Sequence, residues 1–263
     1  MYRLALTIIA ALFSLSAYAD TTKLTIATTH VPPYIIQQEN GEASGIAIDL
    51  IDAASARCNI QTEYSLVSWA RALKMSERGD VDAIMPLAKA KGRDKLFDFP
   101  ITALLDFEMT IFGRTTDKLT FSGSMQELKG KTVGTLRSII VSEAFAKAEK
   151  NGVFTRAKSD TYEALALGLS RNRLDVFVGE KQMGIWAIES LSLQSELAPI
   201  APPIETLPVY LAFSKTGKST LAVPFDACLR AELNSGKLAE LISKYRQSSL
   251  QVANRTPTVD EKQ

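Results

Sequence analysis

Arg93 is the residue of this sequence with the clearest chemical use. It follows an apolar segment ending at Met85, and a guanidinium placed just beyond a strand can grip a carboxylate through two parallel hydrogen bonds. Arg137 and the backbone amides beside Ser138 form a second seat that could receive an anion. Cys58 and Cys228 can pair or stand as two separate buried thiols, because sequence alone does not bring their Cα atoms within the ~4.4–6.8 Å of a disulfide. Two cysteines and one histidine, scattered far apart, give no metal cluster. There is no nucleophile motif and no phosphate-binding loop. The residues therefore point to binding without a cofactor or metal.

The elements that must position these groups belong to a chain of 263 residues, 46% hydrophobic and 22% charged, with mean hydropathy +0.03. Such a mixture buries a full core, as one large domain or two small ones. Thirty basic residues face 29 acidic ones, so no net field steers the chain toward nucleic acid or anionic lipid. At the start, Arg3, the apolar run Leu4 to Leu15 and Ala17-Tyr18-Ala19 have the order of a signal peptide cut after residue 19. The run is shorter than the ~20 apolar residues needed to span a bilayer. No Cys follows the cut, so a lipid anchor is not expected, and the product is read as free, soluble and exported to where a disulfide could persist.

Beyond that segment strand and helix patterns alternate. Leu24 and Ile26 alternate with polar residues as in a strand, Pro32-Pro33 ends it, and Asn40-Gly41 marks a turn. A short helix follows from Ile48, with Asp49 at its electropositive start. Thr62, Tyr64 and Leu66 read as a strand, Trp69 to Arg78 as a helix closed by Gly79, and Val81 to Met85 as the next strand. In the second half a capping box at Ser124 and Glu127 precedes a strand at Thr132 to Thr135 and a helix from about Val141. A strand at Phe154 to Lys158, a helix ending at Ser170 and a strand at Leu174 to Val178 follow. Alternation of this kind argues for parallel βαβ units. The run from Glu77 to Met85 is echoed by Ser170 to Val178, each ending a helix and opening an apolar strand with an acid, which predicts two lobes of similar build. Lys215 to Tyr245 holds two more helices, and 247–263 reads as a flexible tail.

The order of these motifs resembles the family 3 bacterial extracellular solute-binding proteins. The resemblance rests on Leu24 to Tyr34 with its Pro-Pro-Tyr, Gly45 to Leu50, Val67 to Leu73, Gly79 to Ile84, Gly92-Arg93 leading into Phe97 to Pro100, Glu127 to Gly134, Leu174 to Glu180 and Asn234 to Tyr245. It implies an α/β, two-lobed periplasmic binding protein type 2 clamshell, each lobe a mainly parallel sheet flanked by helices. By analogy lobe one is 20–105 with 208–246, lobe two is 109–203, and the hinge strands lie at 106–108 and 204–207. The resemblance gives Arg93 the ligand's carboxylate, Trp69 part of the pocket wall, and Glu180 the place of an acid that takes a ligand ammonium. Tyr34 and His30 flank the loop lining lobe one, and Arg71, two residues after Trp69, faces cleft or solvent. Two hydroxyl contacts usual in α-amino-acid receptors are replaced here, by Ala88 and by Ser138-Ile139-Ile140.

The expected function is capture of a small polar, carboxylate-bearing solute by a periplasmic monomer that serves an ABC-type permease or a sensor, without catalysis. Two alternatives share the scaffold. One is a cyclohexadienyl-dehydratase-like enzyme with Glu180 as general acid near Arg93; the other is a periplasmic accessory protein for another enzyme.

Overall fold

The computed structural model of the chain describes residues 22–253 apart from 138 and 140, with side chains described through 247. The expected signal segment 1–19 and Ser138 therefore lie outside the described residues. The first strand, β1 (Thr22–Thr28), buries Leu24, Ile26 and Ala27 completely. The Asn40-Gly41 turn joins β2 (Ile36–Gln37) to β3 (Ala43–Ser44) in a small separate hairpin. Helix α1 (Ile46–Arg57) then leads to β4 (Ile60–Leu66), and α2 (Trp69–Arg78) leads to β5 (Ala83–Ala88). Gly79 ends α2 with φ 79°, a left-handed cap that costs a residue without Cβ little. Both β4 and β5 run parallel to β1, as the alternation of elements requires.

A short strand, β6 (Phe97–Asp98), and a long one, β7 (Leu105–Arg114), carry the chain out of this first half. In the second half the Ser124–Glu127 capping box forms, but on the single turn Met125–Leu128. It precedes β8 (Thr132–Leu136), α3 (Glu143–Lys150), β9 (Thr155–Ser159), α4 (Tyr162–Ser170) and β10 (Val176–Glu180). The helix expected from Val141 begins two residues later because the Ser142 hydroxyl accepts from the Phe145 amide at 3.1 Å and fixes the start. Strands β9 and β10 both run parallel to β8.

The chain returns through α5 (Lys181–Ser190) and β11 (Leu197–Ser214), then closes with α6 (Ala222–Asn234) and α7 (Lys237–Ala253). Helix α7 continues to Ala253, so 247–253 are helical where a flexible tail is expected, and 254–263 lie outside the described residues. The two parallel triplets do not form separate sheets. Strand β11 pairs antiparallel with β7 along both halves and then with β5, giving one nine-stranded sheet in the order β4-β1-β5-β11-β7-β10-β8-β9, with β6 beside β11. The segments 106–108 and 204–207 lie on these crossing strands, where Thr206 faces Glu108, Leu207 faces Phe107 and Pro208 faces Asp106.

Each half has its own core. Leu24, Ile26, Leu50, Phe213 and Phe225 fill the first, and Phe112 stacks on Phe177 at 4.4 Å in the second. Full burial of one such side chain is worth roughly 1.5–3 kcal/mol, enough for each half to hold its sheet edge in place. A Cys58–Cys228 disulfide, with Cα atoms 6.1 Å apart, ties the end of α1 to α6 across 170 residues of sequence.

Candidate functional site

The C-terminal ends of both parallel triplets open on the same side, where strands hand over to helices and ligands of open α/β sheets are held. Between the halves there lies a chamber of about 400 Å³. The first half supplies Thr29 and Val31 just past β1, Trp69 in the first turn of α2, and Pro86 on β5. The second half supplies Leu136 at the end of β8, Ile139 beyond it, Tyr162 opening α4, Glu180 ending β10 and Met183 in the first turn of α5. Phe107, Met109 and Leu207 of the crossing strands complete the wall. Nine of these twelve residues are apolar, and none is Lys or Arg.

Glu180 is the charged group of this chamber, and the protein itself uses it. Its side chain caps α5: Oε2 accepts from the Met183 amide at 2.9 Å, while Oε1 accepts from the Tyr34 hydroxyl at 3.0 Å. The amides of Gln182 and Glu108 also face it. Only 2% of the residue is exposed. Burial pushes its carboxyl up to about 7, against the opposing pull of these donors. Tyr34 reaches it from the hinge side, stacked on Phe107 at 5.0 Å, and its own phenol is raised by burial and by the Glu180 charge. The Tyr34–Glu180 bond thus joins the two halves beneath the chamber. Tyr162 accepts the Glu180 amide on its phenolic oxygen at 2.8 Å, which leaves its O–H proton free to serve a ligand oxygen. Burial raises that phenol too.

The other expected site residues fall elsewhere. Trp69 is in the chamber wall. Arg93 is half-buried and lines neither this chamber nor the one adjoining it: Nη1 donates to the Ala88 carbonyl at the end of β5, 2.8 Å away. His30 and Asp160 line an adjoining chamber of about 360 Å³, which shares Val31, Leu136, Tyr162 and Met183 with the first. There the His30 ring accepts the Gln37 amide at Nδ1, 3.0 Å away, and so holds its loop. Arg137 is exposed and paired with Asp160 at 3.0 Å, an arrangement that holds its guanidinium above the usual range. Arg71 is exposed on α2 and lines neither chamber. Among the described residues no cluster of His, Cys, Asp and Glu could hold a metal.

The sequence reading missed Tyr162, Met183, Phe107 and Leu207. A signal for the first two existed: each sits in the opening turn of a helix that follows a strand end, the place where open α/β sheets bind. For the hinge residues none existed, since Phe107 and Leu207 meet only through pairing of strands about a hundred residues apart.

The model of the bacterial extracellular solute-binding proteins, family 3, matches residues 24–248. No curated protein gives a match. Among solved structures, the extracellular-binding protein ytmK of a probable amino-acid ABC transporter from Bacillus subtilis is 21% identical, with TM-score 0.71, over 86% of this chain and 97% of that one. Substrate-binding domain 2 of GlnP from Lactococcus lactis, in an open conformation, is 20% identical, with TM-score 0.67, over 85% and 94%. A histidine kinase sensor domain similar to periplasmic binding proteins is 21% identical, with TM-score 0.66, over 86% and 97%. At these identities the likeness establishes the fold.

Proposed function

Because the chain belongs to family 3 of the bacterial extracellular solute-binding proteins, we propose that it is a periplasmic receptor. In this reading it captures a small carboxylate-bearing solute, an amino acid or a related acid, and delivers it to an ABC-type importer or a sensor. The observation that carries the reading is a chamber whose wall is shared by both halves and both crossing strands. A ligand there touches every part that moves when two lobes close, so its contacts favour the closed form. Arg93, just beyond β5, is the cation that the family resemblance assigns to the carboxylate; one of its N–H groups is spent on Ala88, and other donors remain on its guanidinium. Among the described residues no helix is long and apolar enough to cross a membrane, in keeping with a receptor that works beside its permease.

Amino acids, small carboxylates and polyamines should be screened by thermal shift and titration calorimetry. A ligand at 100 times its Kd raises stability by about 2.7 kcal/mol, and Arg93→Ala is expected to abolish the shift for carboxylates. A screen in which no solute stabilises the protein sinks the receptor reading. The dehydratase alternative needs Glu180 to reach a substrate as an acid, but its oxygens already accept Tyr34 and Met183. Prephenate is accordingly expected to come through incubation with the protein unchanged, with no aromatic product by ultraviolet absorbance.

A further inference from the structure

We infer that Tyr162 is a specificity residue of this site, whose phenolic O–H donates to an oxygen atom of the captured solute at the Glu180 end of the chamber. The inference rests on the receptor reading above and adds to it a group that reads the solute. Tyr162 lines both the main and the adjoining chamber, so a solute in either meets it. Its place is fixed from two sides. The Thr161 hydroxyl accepts from the Ala164 amide at 3.1 Å and sets the start of α4, and Gly179, without a Cβ, leaves the space that the ring occupies. The Tyr162 hydroxyl meets the amide of Glu180, itself a wall residue of the first chamber.

The state of that hydroxyl carries the inference. A phenol can both accept and donate, and a buried one ordinarily finds its partners within the protein. Tyr245 shows the full use: its oxygen accepts from the Gly45 amide at 2.8 Å, and its proton goes to Asp49 at 3.1 Å. Tyr34 and Tyr64 likewise give their protons to Glu180 and Asp52. Tyr162 completes only half of this pattern. It accepts from the Glu180 amide at 2.8 Å, and among the described residues no atom accepts its proton, although the residue is only 9% exposed. Burial raises the phenol, so the proton stays in place at neutral pH. Once closure of the lobes excludes water, a donor without an acceptor is penalised, and a solute oxygen removes the penalty. A carboxylate, a carbonyl or a hydroxyl supplies such an oxygen; an ammonium, which only donates, does not.

Two probe series vary the oxygen on a fixed frame: L-phenylalanine, L-phenylalaninamide and 2-phenylethylamine, and L-arginine, L-argininamide and agmatine. The acid and the amide carry the oxygen, and the amine lacks it. In titration calorimetry at neutral pH, at least one series is expected to favour acid or amide over amine by about tenfold, the worth of one well-made hydrogen bond. In Tyr162→Phe that preference should fall to within about threefold. Phe also leaves the Glu180 amide without its acceptor, but a ratio of two affinities measured on one folded protein does not follow stability. Gly179→Ala, which keeps the hydroxyl and displaces the ring, should lower the same ratio. An advantage shared by the amide supports a carbonyl oxygen as the acceptor, and an advantage of the acid alone supports a carboxylate. If the preference survives unchanged in both variants, Tyr162 does not read the solute and the receptor reading stands. If the amines equal the acids and amides in the unmutated protein, the oxygen requirement is overturned. For a solute that binds only in the wider screen, a loss of less than about threefold in Tyr162→Phe overturns the inference in the same way. If neither these probes nor the wider screen bind, the receptor reading falls and takes this inference with it.

Discussion

Glu180 shows how one side chain can line a site and serve the fold at once. The family resemblance marks it as a site acid, and it does line the chamber, while its carboxylate also serves as the cap of α5 and the acceptor of Tyr34. Because burial raises its carboxyl from 4.5 to about 7, the folded protein holds this proton more tightly than the unfolded chain does. The stability it contributes is present below about pH 4.5 and lost as pH rises through about 7, on the order of 3 kcal/mol in all. Urea unfolding between pH 4.5 and 7.5 should show the unmutated protein losing stability over this window relative to Glu180→Gln, whose amide does not titrate. Parallel curves for the two proteins would refute the assignment. The family resemblance puts Trp69 in the pocket wall, and this first residue of α2 lines the chamber. Trp69→Ala is expected to weaken ligand binding tenfold or more in a calorimetric titration, since wall aromatics carry a large share of binding energy.

At the scale of elements, the echo between Glu77–Met85 and Ser170–Val178 has a physical basis. Asp82 accepts the Thr25 amide in the middle of β1 at 2.9 Å, and Asp175 accepts the Thr132 amide at the start of β8 at 2.6 Å, so each acid clamps the neighbouring parallel strand. Gly79 and Asn172 turn the chain ahead of them with φ of 79° and 57°. Burial raises the Asp82 carboxyl, but hydrogen bonds from Thr25 and the nearby Lys218 outweigh it and hold the group below its usual range. Asp82→Ala should therefore cost about 1.5–3 kcal/mol of unfolding free energy at pH 7. That penalty should shrink as pH falls through the lowered carboxyl, a trend chemical denaturation at pH 7 and pH 3 resolves. Gly179 is a second element-level constraint: a Cβ there would collide with the Tyr162 ring, so the end of β10 and the start of α4 can approach only without a side chain. Gly179→Ala is expected to displace Tyr162, lowering stability by about 1–3 kcal/mol and weakening ligand binding in the same titration. Alternation of strand and helix was readable because period-2 and period-3.6 patterns are local. Helix α5 was not, since its start is set by the Glu180 cap and its buried Gly184, Ala187 and Ile188 face partners distant in sequence.

The whole molecule is held by contacts that join remote parts of the chain. Replacing Cys58 and Cys228 by Ser should lower unfolding free energy by about 2–4 kcal/mol, read by denaturation with and without reductant, and a reductant that changed nothing would contradict the bond. Across the halves, Arg246 of α7 pairs with the buried Glu189 of α5 at 2.9 Å, and Tyr34 meets Glu180. These bonds bridge the halves outside the crossing strands, so the proposed hinge closure would require them to yield or slide. Small-angle scattering should show a smaller radius of gyration on adding a stabilising ligand; an unchanged radius would count against hinge closure.

The amino-acid sequence by itself determined the βαβ grammar, the turns, the two similar halves, and the residue types at the strand ends where a site had to form. These follow from periodicity, capping and backbone preference, which act over a few residues. The tertiary structure alone decided that β7 and β11 merge two sheets into one, that Phe107 and Leu207 wall a chamber with Trp69 and Tyr162, and that Cys58 meets Cys228. It also decided that Glu180 spends its oxygens on Tyr34 and Met183, and that Arg137 turns outward to Asp160. Such pairings depend on which distant segments the cores bring together, and a local pattern carries no record of the partner.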